Sequence, residues 1–273
     1  MSAEVYRVRC AAFGVEFCLA AESDEMLAAM RERAPWGTEI YKDGRGEARE
    51  FAVYDCVAKS SHADGYALLV EGETVVERAP LTAALGALAR ELMVHVAEFA
   101  PEHVFVHAGV VAWRGRALVL PGATFAGKTT LVAELVRAGA TYYSDEYAAL
   151  DAEGRVHPYA RALAMREPDS EQQRTVTVAE LGGVAGVEPV RVVRVVFTEY
   201  LERGRWTPEQ VSAGMAALEM LRHAVPVQRT PARVMAALAK MMETAKAVRS
   251  PRGEARETAR ALLASVDAEE AGA

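Results

Sequence analysis

The sequence contains no asparagine, so the Asn-Lys-x-Asp element with which GTPases read guanine cannot be present. Cysteine is nearly as scarce. Cys10, Cys18 and Cys56 are odd in number, show no CxxC spacing and lie in the first quarter of the chain, which reads as reduced core residues rather than a disulfide framework or a zinc site. No apolar run reaches the roughly 18 residues that a spanning helix needs. The opening MSAEVYRVRC has neither the basic start nor the apolar stretch of a signal peptide. The corresponding expectations are no membrane contact and a cytoplasmic location. Positive charge is also short: 31 Lys and Arg stand against 38 Asp and Glu, for a net charge of −7. That balance argues against a protein that coats a nucleic-acid duplex, yet it leaves room for a local basic site. Internal repeats and low-complexity tracts are absent.

What is present is ample apolar material. With 273 residues, 51% of them hydrophobic, the chain can bury the core of one large domain or two modest ones. Residues 4–20 read as two strands broken near Gly14, and Leu27 and Met30 mark a short helix. Phe51 to Tyr54, Tyr66 to Val70 and the stretch after Glu71-Gly72 read as further strands. Residues 1–80 are therefore expected to form a small α+β unit. Leu85, Leu88, Leu92, Val96 and Phe99 recur at helical spacing, which predicts a connecting helix over 81–102. Residues 103–200 read as a catalytic core: strand, turn at Arg114-Gly115, strand, glycine-containing loop, helix, strand. A further strand is expected over Val190 to Phe197. The part from 201 to 273 reads as helical, with helices near 208–224, 231–248 and 253–266.

Gly122-Ala123-Thr124-Phe125-Ala126-Gly127-Lys128-Thr129 fits G-x-x-x-x-G-K-[ST] between a β-rich run and an amphipathic helix, the context this phosphate-binding loop requires. The glycines allow successive N–H groups to turn inward onto phosphate oxygens, and the following helix adds the positive end of its dipole. Lys128 is expected to reach the β and γ phosphates, and Thr129 to offer its hydroxyl to Mg²⁺. Thr130 is expected to meet the α-phosphate or simply begin the helix. ATP with Mg²⁺ is the implied ligand. Asp151-x-x-Gly154 matches a GTPase pattern but falls in a hairpin turn one strand too late, and no LSGGQ-like transporter signature follows the loop.

Ser144-Asp145-Glu146 ends the strand after the loop helix. One carboxylate there can hold a metal while its neighbour accepts a proton from an attacking hydroxyl. Neighbours on a strand point to opposite faces, so only one enters the site unless the strand has ended, and Asp145 is favoured as the inward one. Arg161 and Arg166 could clamp phosphate, or form surface ion pairs; Arg166 is carried forward as the candidate.

Upstream stands His107-Ala-Gly109. Together, His107-Ala-Gly-Val-Val, the run from Gly115 through the loop to Leu131, Gly139 and Ser144-Asp-Glu146 resemble the catalytic core of the HPr kinase/phosphorylase superfamily. The resemblance covers roughly residues 103–168. It includes His157-Pro-Tyr and Arg161 to Arg166, which are similar to the HPr-kinase-related proteins of peptide-modification gene clusters, among them kinases of lasso peptide precursors. It implies an α/β fold with a P-loop, HPr-kinase-like (PEP-carboxykinase-like) core, the small N-terminal α+β unit and C-terminal helices. It implies His107 near the γ-phosphate, Lys128 on the phosphates, Thr129 with Asp145 and Glu146 on Mg²⁺, and an acid of that pair as base. The pair is Asp-Glu where the bacterial regulator usually has Asp-Asp, and that enzyme's later dephosphorylation signature is missing, so kinase activity without phosphorylase activity is expected.

The reading is then an ATP-dependent kinase acting on a hydroxyl of a peptide, a protein or a small molecule, with no nucleic-acid or membrane partner. A nucleotide-responsive binding protein with little turnover is the alternative. The N-terminal block is the candidate for acceptor recognition. The C-terminal helices read as packing elements, some of whose surface could carry homo-oligomer contacts as in the family resembled.

Overall fold

The structure, a computed structural model, describes residues 5–41, 48–55, 65–122, 127–166 and 173–271, and falls into two compact units, 1–102 and 103–273. The expected features at Cys56 and at Ala123, Thr124, Phe125 and Ala126 lie outside the described residues. No helix among the described residues is long and apolar enough to cross a membrane.

Unit 1 is a six-stranded sheet in the order β3-β1-β2-β4-β5-β6. Its elements are β1 (Tyr6–Ala12), β2 (Val15–Ala21), α1 (Asp24–Arg31), β3 (Glu39–Tyr41), β4 (Arg49–Asp55), β5 (Tyr66–Val70), β6 (Glu73–Ala79) and α2 (Leu81–Phe99). Phe13-Gly14 and Glu71-Gly72 close the two hairpins with positive φ at both central positions, the turn that matches the right-handed twist of the strands it joins. Ser23 caps α1 by accepting a hydrogen bond from the Met26 amide at 3.1 Å. Along α2, Leu85, Leu88, Leu92 and Val96 are buried with Phe17, Leu19, Phe51 and Leu68 of the strands and form the lid of this core, whereas Phe99, read from the sequence as part of the same stripe, ends the helix exposed.

Unit 2 carries an eight-stranded sheet. It comprises β7 (Val104–Trp113), β8 (Arg116–Pro121), α3 (Lys128–Arg137), β9 (Thr141–Ser144), β10 (Tyr147–Leu150), β11 (Arg155–His157), β12 (Leu163–Arg166), β13 (Gln173–Val176), β14 (Val190–Tyr200), β15 (Glu209–Val211), α4 (Ala213–Leu221), α5 (Pro231–Met242), β16 (Lys246–Arg252) and α6 (Ala255–Ala271). The sheet runs β11-β10-β7-β8-β14-β16-β15, with β9 also on β7, while β12 and β13 form a separate hairpin. Strands β8, β14 and β16 are parallel, and β11 also pairs with the start of β14, which closes β7, β8, β14, β11 and β10 into a ring. Side chains alternate along β8: Ala117 and Val119 join one core with Met220, Val234, Leu238 and Met241 of α4 and α5, while Leu118 and Leu120 join another with Leu131, Leu135 and Leu262 of α3 and α6. The result is a mixed α/β unit with helices on both faces of its central strands.

Two sequence expectations fail here. The helix expected over 231–248 ends at Met242, and Lys246–Arg252 is instead β16, a strand parallel to β14. Thr244 marks the switch by donating its hydroxyl to the Val192 carbonyl at 3.1 Å. The strand's inward positions include Ser250 and Arg252, both buried, so its periodicity never shows in hydropathy. Likewise Glu209–Val211 is an edge strand, and α4 begins only after Ser212, which caps it.

Candidate active site

The segment after α3 forms two strands rather than one, and the interruption is Asp145-Glu146. Buried Ser144 causes it, since its hydroxyl accepts hydrogen bonds from the Glu146 amide at 3.1 Å and the Tyr147 amide at 2.9 Å. With the strand broken there, the alternation that would send one carboxylate away from the site no longer applies.

Backbone hydrogen bonds draw three segments toward this turn, one directly and two through His107. The Ala108 amide donates to the Glu146 carbonyl at 3.1 Å, the Gly122 amide to the His107 carbonyl at 3.3 Å, and the His107 amide to the His223 carbonyl at 2.8 Å. In register, Tyr147 faces His107 and Pro121 faces Ala108. His107, Gly122 and the acidic pair thus become neighbours through backbone pairing, although they stand far apart in sequence.

Gly127 has φ +75° as the N-cap of α3, a conformation that favours glycine. Lys128 and Thr129 open that helix. Thr130 follows them in its first turn and is exposed. The Lys128 ammonium donates to the Gly122 carbonyl at 2.8 Å. Burial lowers its pKa, with Glu146 and Asp145 acting in the opposite direction. The Thr129 hydroxyl donates to Asp145 Oδ2 at 3.0 Å, and the Tyr142 hydroxyl donates to Asp145 Oδ1 at 2.9 Å. Asp145 is 5% exposed and is held from both sides.

Glu146 is differently placed. Its carboxylate stands 3.8 Å from His107 Nδ1 and keeps 34% of its side-chain surface. Burial raises its pKa and Asp145 adds to the rise, while Arg161 and Lys128 oppose it. His107 is lowered, by burial first and then by Lys128 and His223, and its ring lies 4.6 Å from that of Tyr147. At neutral pH it is therefore a neutral imidazole.

The structure brings His107, Gly122, Gly127, Lys128, Thr129, Asp145 and Glu146 together. Arg166 ends β12 in the separate hairpin, and its side chain lies outside the described residues. Arg161 acts on Glu146, and its main chain hydrogen-bonds the Tyr142 hydroxyl, so of the two arginines singled out it is the one tied to the acidic pair. Sequence reading missed three contributors. Tyr142 holds Asp145. His223 acts electrostatically on His107, and its own pKa is lowered by burial first and then by Lys128. Arg252 donates to the Gly127 carbonyl at 3.1 Å. The only available signal was the position of Tyr142 three residues before Asp145; His223 and Arg252 arrive from the end of α4 and from β16 with no motif of their own.

No group of three or more His, Cys, Asp and Glu side chains among the described residues could hold a metal by itself. The Thr129 hydroxyl and Asp145 carboxylate instead form a hard-oxygen pair beside the loop, a donor set suited to Mg²⁺, which usually takes one or two protein oxygens and completes its shell with phosphates and water. Compared with known proteins, the chain matches no protein-family model, and no curated protein matches its sequence.

Proposed function

We propose that unit 2 is an ATP-dependent phosphotransferase that moves the γ-phosphate to a hydroxyl group, built on a phosphate-loop core of the HPr-kinase-like type. The supporting observation is the hydrogen bond of 3.0 Å from Thr129, at the head of the loop helix, to Asp145, beside a second carboxylate and Lys128. Phosphoryl transfer needs charge neutralisation, positioning and a proton acceptor, and these residues are suited to all three. The family assignment rests on the motif order from His107 to Glu146.

In this reading Lys128 and the amides at the head of α3 bind the phosphates. Thr129 and Asp145 would hold Mg²⁺, which would supply charge neutralisation when bound. The acceptor oxygen attacks the γ-phosphorus, the bond to the β,γ-bridging oxygen breaks, and the nucleoside diphosphate leaves. The hydroxyl proton passes to a carboxylate. Both oxygens of Asp145 are already held by donors, whereas Glu146 is more accessible and has a raised pKa, so Glu146 is assigned as the base and Asp145 as the metal ligand. His107 remains a neutral hydrogen-bonding group beside the transferred phosphate, and unit 1 is the candidate for acceptor recognition.

The test compares Glu146→Gln with Asp145→Asn. The first should keep Mg²⁺-dependent ATP binding and lose transfer by about 10²- to 10⁴-fold, the worth of a general base. The second should raise the Mg²⁺ concentration needed for binding. Full transfer by Glu146→Gln removes the base assignment. Tight ATP binding by the wild type, with no transfer to peptide, protein or small hydroxyl acceptors, would favour a nucleotide-responsive binding protein instead.

A further inference from the structure

Arg252 ends β16 with only 3% of its surface exposed. Its Nη2 donates to the Gly127 carbonyl at 3.1 Å and its Nη1 to the Gly253 carbonyl at 3.2 Å, and the guanidinium carbon lies 5.4 Å from the centre of the Tyr200 ring. Its Nε is buried with no acceptor, and no carboxylate among the described residues lies within ion-pairing distance of it. Burial lowers its pKa, but a guanidinium remains charged at neutral pH. A buried cation whose chain supplies only carbonyls, a ring and the longer-range pull of Glu254 is costly, and its natural complement is an anion.

Its location says which anion. The Gly127 carbonyl accepts from both Arg252 and the Leu131 amide, the latter at 3.2 Å. In a trans peptide the carbonyl and the next N–H point in opposite directions. Pinning the Gly127 carbonyl therefore aims the Lys128 amide away from Arg252, out of the N-terminal end of α3, where phosphate oxygens are met. A Cβ on residue 127 would collide with Nη2 of Arg252 and displace the guanidinium from the Gly127 carbonyl, and the positive φ of Gly127 independently favours glycine.

We propose that Arg252 is a positioning residue for polyphosphate: it fixes the Gly127-Lys128 peptide for anion binding and places a second positive charge beside the N-cap of α3, which favours triphosphate over monophosphate. The inference rests on the reading of unit 2 as a nucleotide-binding unit. It ties the loop to the last strand of the sheet, more than a hundred residues away, through Tyr200 and Arg252, which pair in register.

The experiment measures equilibrium binding of ATP, AMP and inorganic tripolyphosphate to the full chain and to Arg252→Met, Arg252→Lys and Lys128→Ala, with thermal melting of each protein without ligand. Arg252→Met should weaken ATP and tripolyphosphate by about 10- to 100-fold, the worth of a charge-assisted hydrogen bond, should change AMP little, and should melt close to the wild type. Arg252→Lys keeps the charge without the fork and should fall between the two; if Arg252→Met does not fold, this variant carries the test. Wild-type ATP affinity in the variant that carries the test, or equal losses for ATP and AMP with a lowered melting point, overturns the proposal. Wild-type binding by Lys128→Ala would sink the nucleotide reading itself. Loss of binding in Lys128→Ala alone, with Arg252→Met unaffected, would sink only the role of the arginine.

Discussion

Replacing Gly109 with alanine probes how closely the strand that carries His107 approaches the helix that carries Lys128. A Cβ on residue 109 would stand 2.6 Å from Cγ2 of Val132 on α3, and 3.6 Å from Cδ1 of Leu120. Carbon atoms pack best at about 3.5 to 4.0 Å, so β7 and α3 must part by about 1 Å. Val132 and the strand residues flanking Gly109 are fully buried, so the new methyl has no solvent to turn toward. Gly109 does not have positive φ, so space and not backbone strain opposes the change. Overpacking of this size costs about 1–3 kcal/mol. The reduced freedom of the unfolded chain returns about 0.4–1 kcal/mol. The expected net loss is roughly 1–2 kcal/mol, or about 3–6 °C in melting temperature for a unit of this size. Urea unfolding of Gly109→Ala, Val132→Ala and the double variant forms a cycle. Val132→Ala alone leaves a cavity, which the methyl introduced by Gly109→Ala partly fills, so the double variant should be more stable than additivity predicts by about 1 kcal/mol or more. Wild-type stability for Gly109→Ala, or strict additivity in the cycle, would refute the reasoning.

Further expectations concern the electrostatics of the site and the attachment of α6. The folded pKa of His107 lies below 6.5, so the unfolded chain takes up its proton first: the stability tied to this group is present above 6.5 and is lost as pH falls toward the folded value. His107→Gln should flatten that acid limb in denaturation curves, and Lys128→Met should move the His107 NMR titration upward, only in part because burial is the larger cause; an unmoved midpoint counts against the Lys128 contribution. At the other end of β7, Trp113 Nε1 donates to Asp267 Oδ1 at 2.7 Å and Arg114 to Oδ2 at 3.2 Å, docking α6. Asp267→Ala should destabilise by about 1 kcal/mol, and Asp267→Asn, which keeps an acceptor for the indole, by less. Equal losses would mean that the indole bond contributes nothing.

Local features were legible in the sequence because local rules govern them. The Phe13-Gly14 and Glu71-Gly72 turns, the stripe of Leu85, Leu88, Leu92 and Val96, and the order of strand, loop and helix around Gly127 and Lys128 each follow from turn geometry or periodicity within about a dozen residues. The two acids were identifiable as a pair, but their different surroundings were not. Those depend on Ser144 breaking the strand, and on Thr129 and Tyr142 both reaching Asp145 while leaving Glu146 beside His107. Strand β16 escaped detection because its inward positions include Ser250 and Arg252, whose burial is made tolerable only by partners elsewhere in the fold. The motifs of the chain were sufficient to place a Gly-Lys-Thr sequence between a strand and a helix. Only the pairing of β7 with β8, β9 and β10, the pairing of β14 with β16 and the backbone bond from His107 to His223 brought His107, Glu146, His223 and Arg252 to it, because these contacts join distant segments and no single segment encodes them.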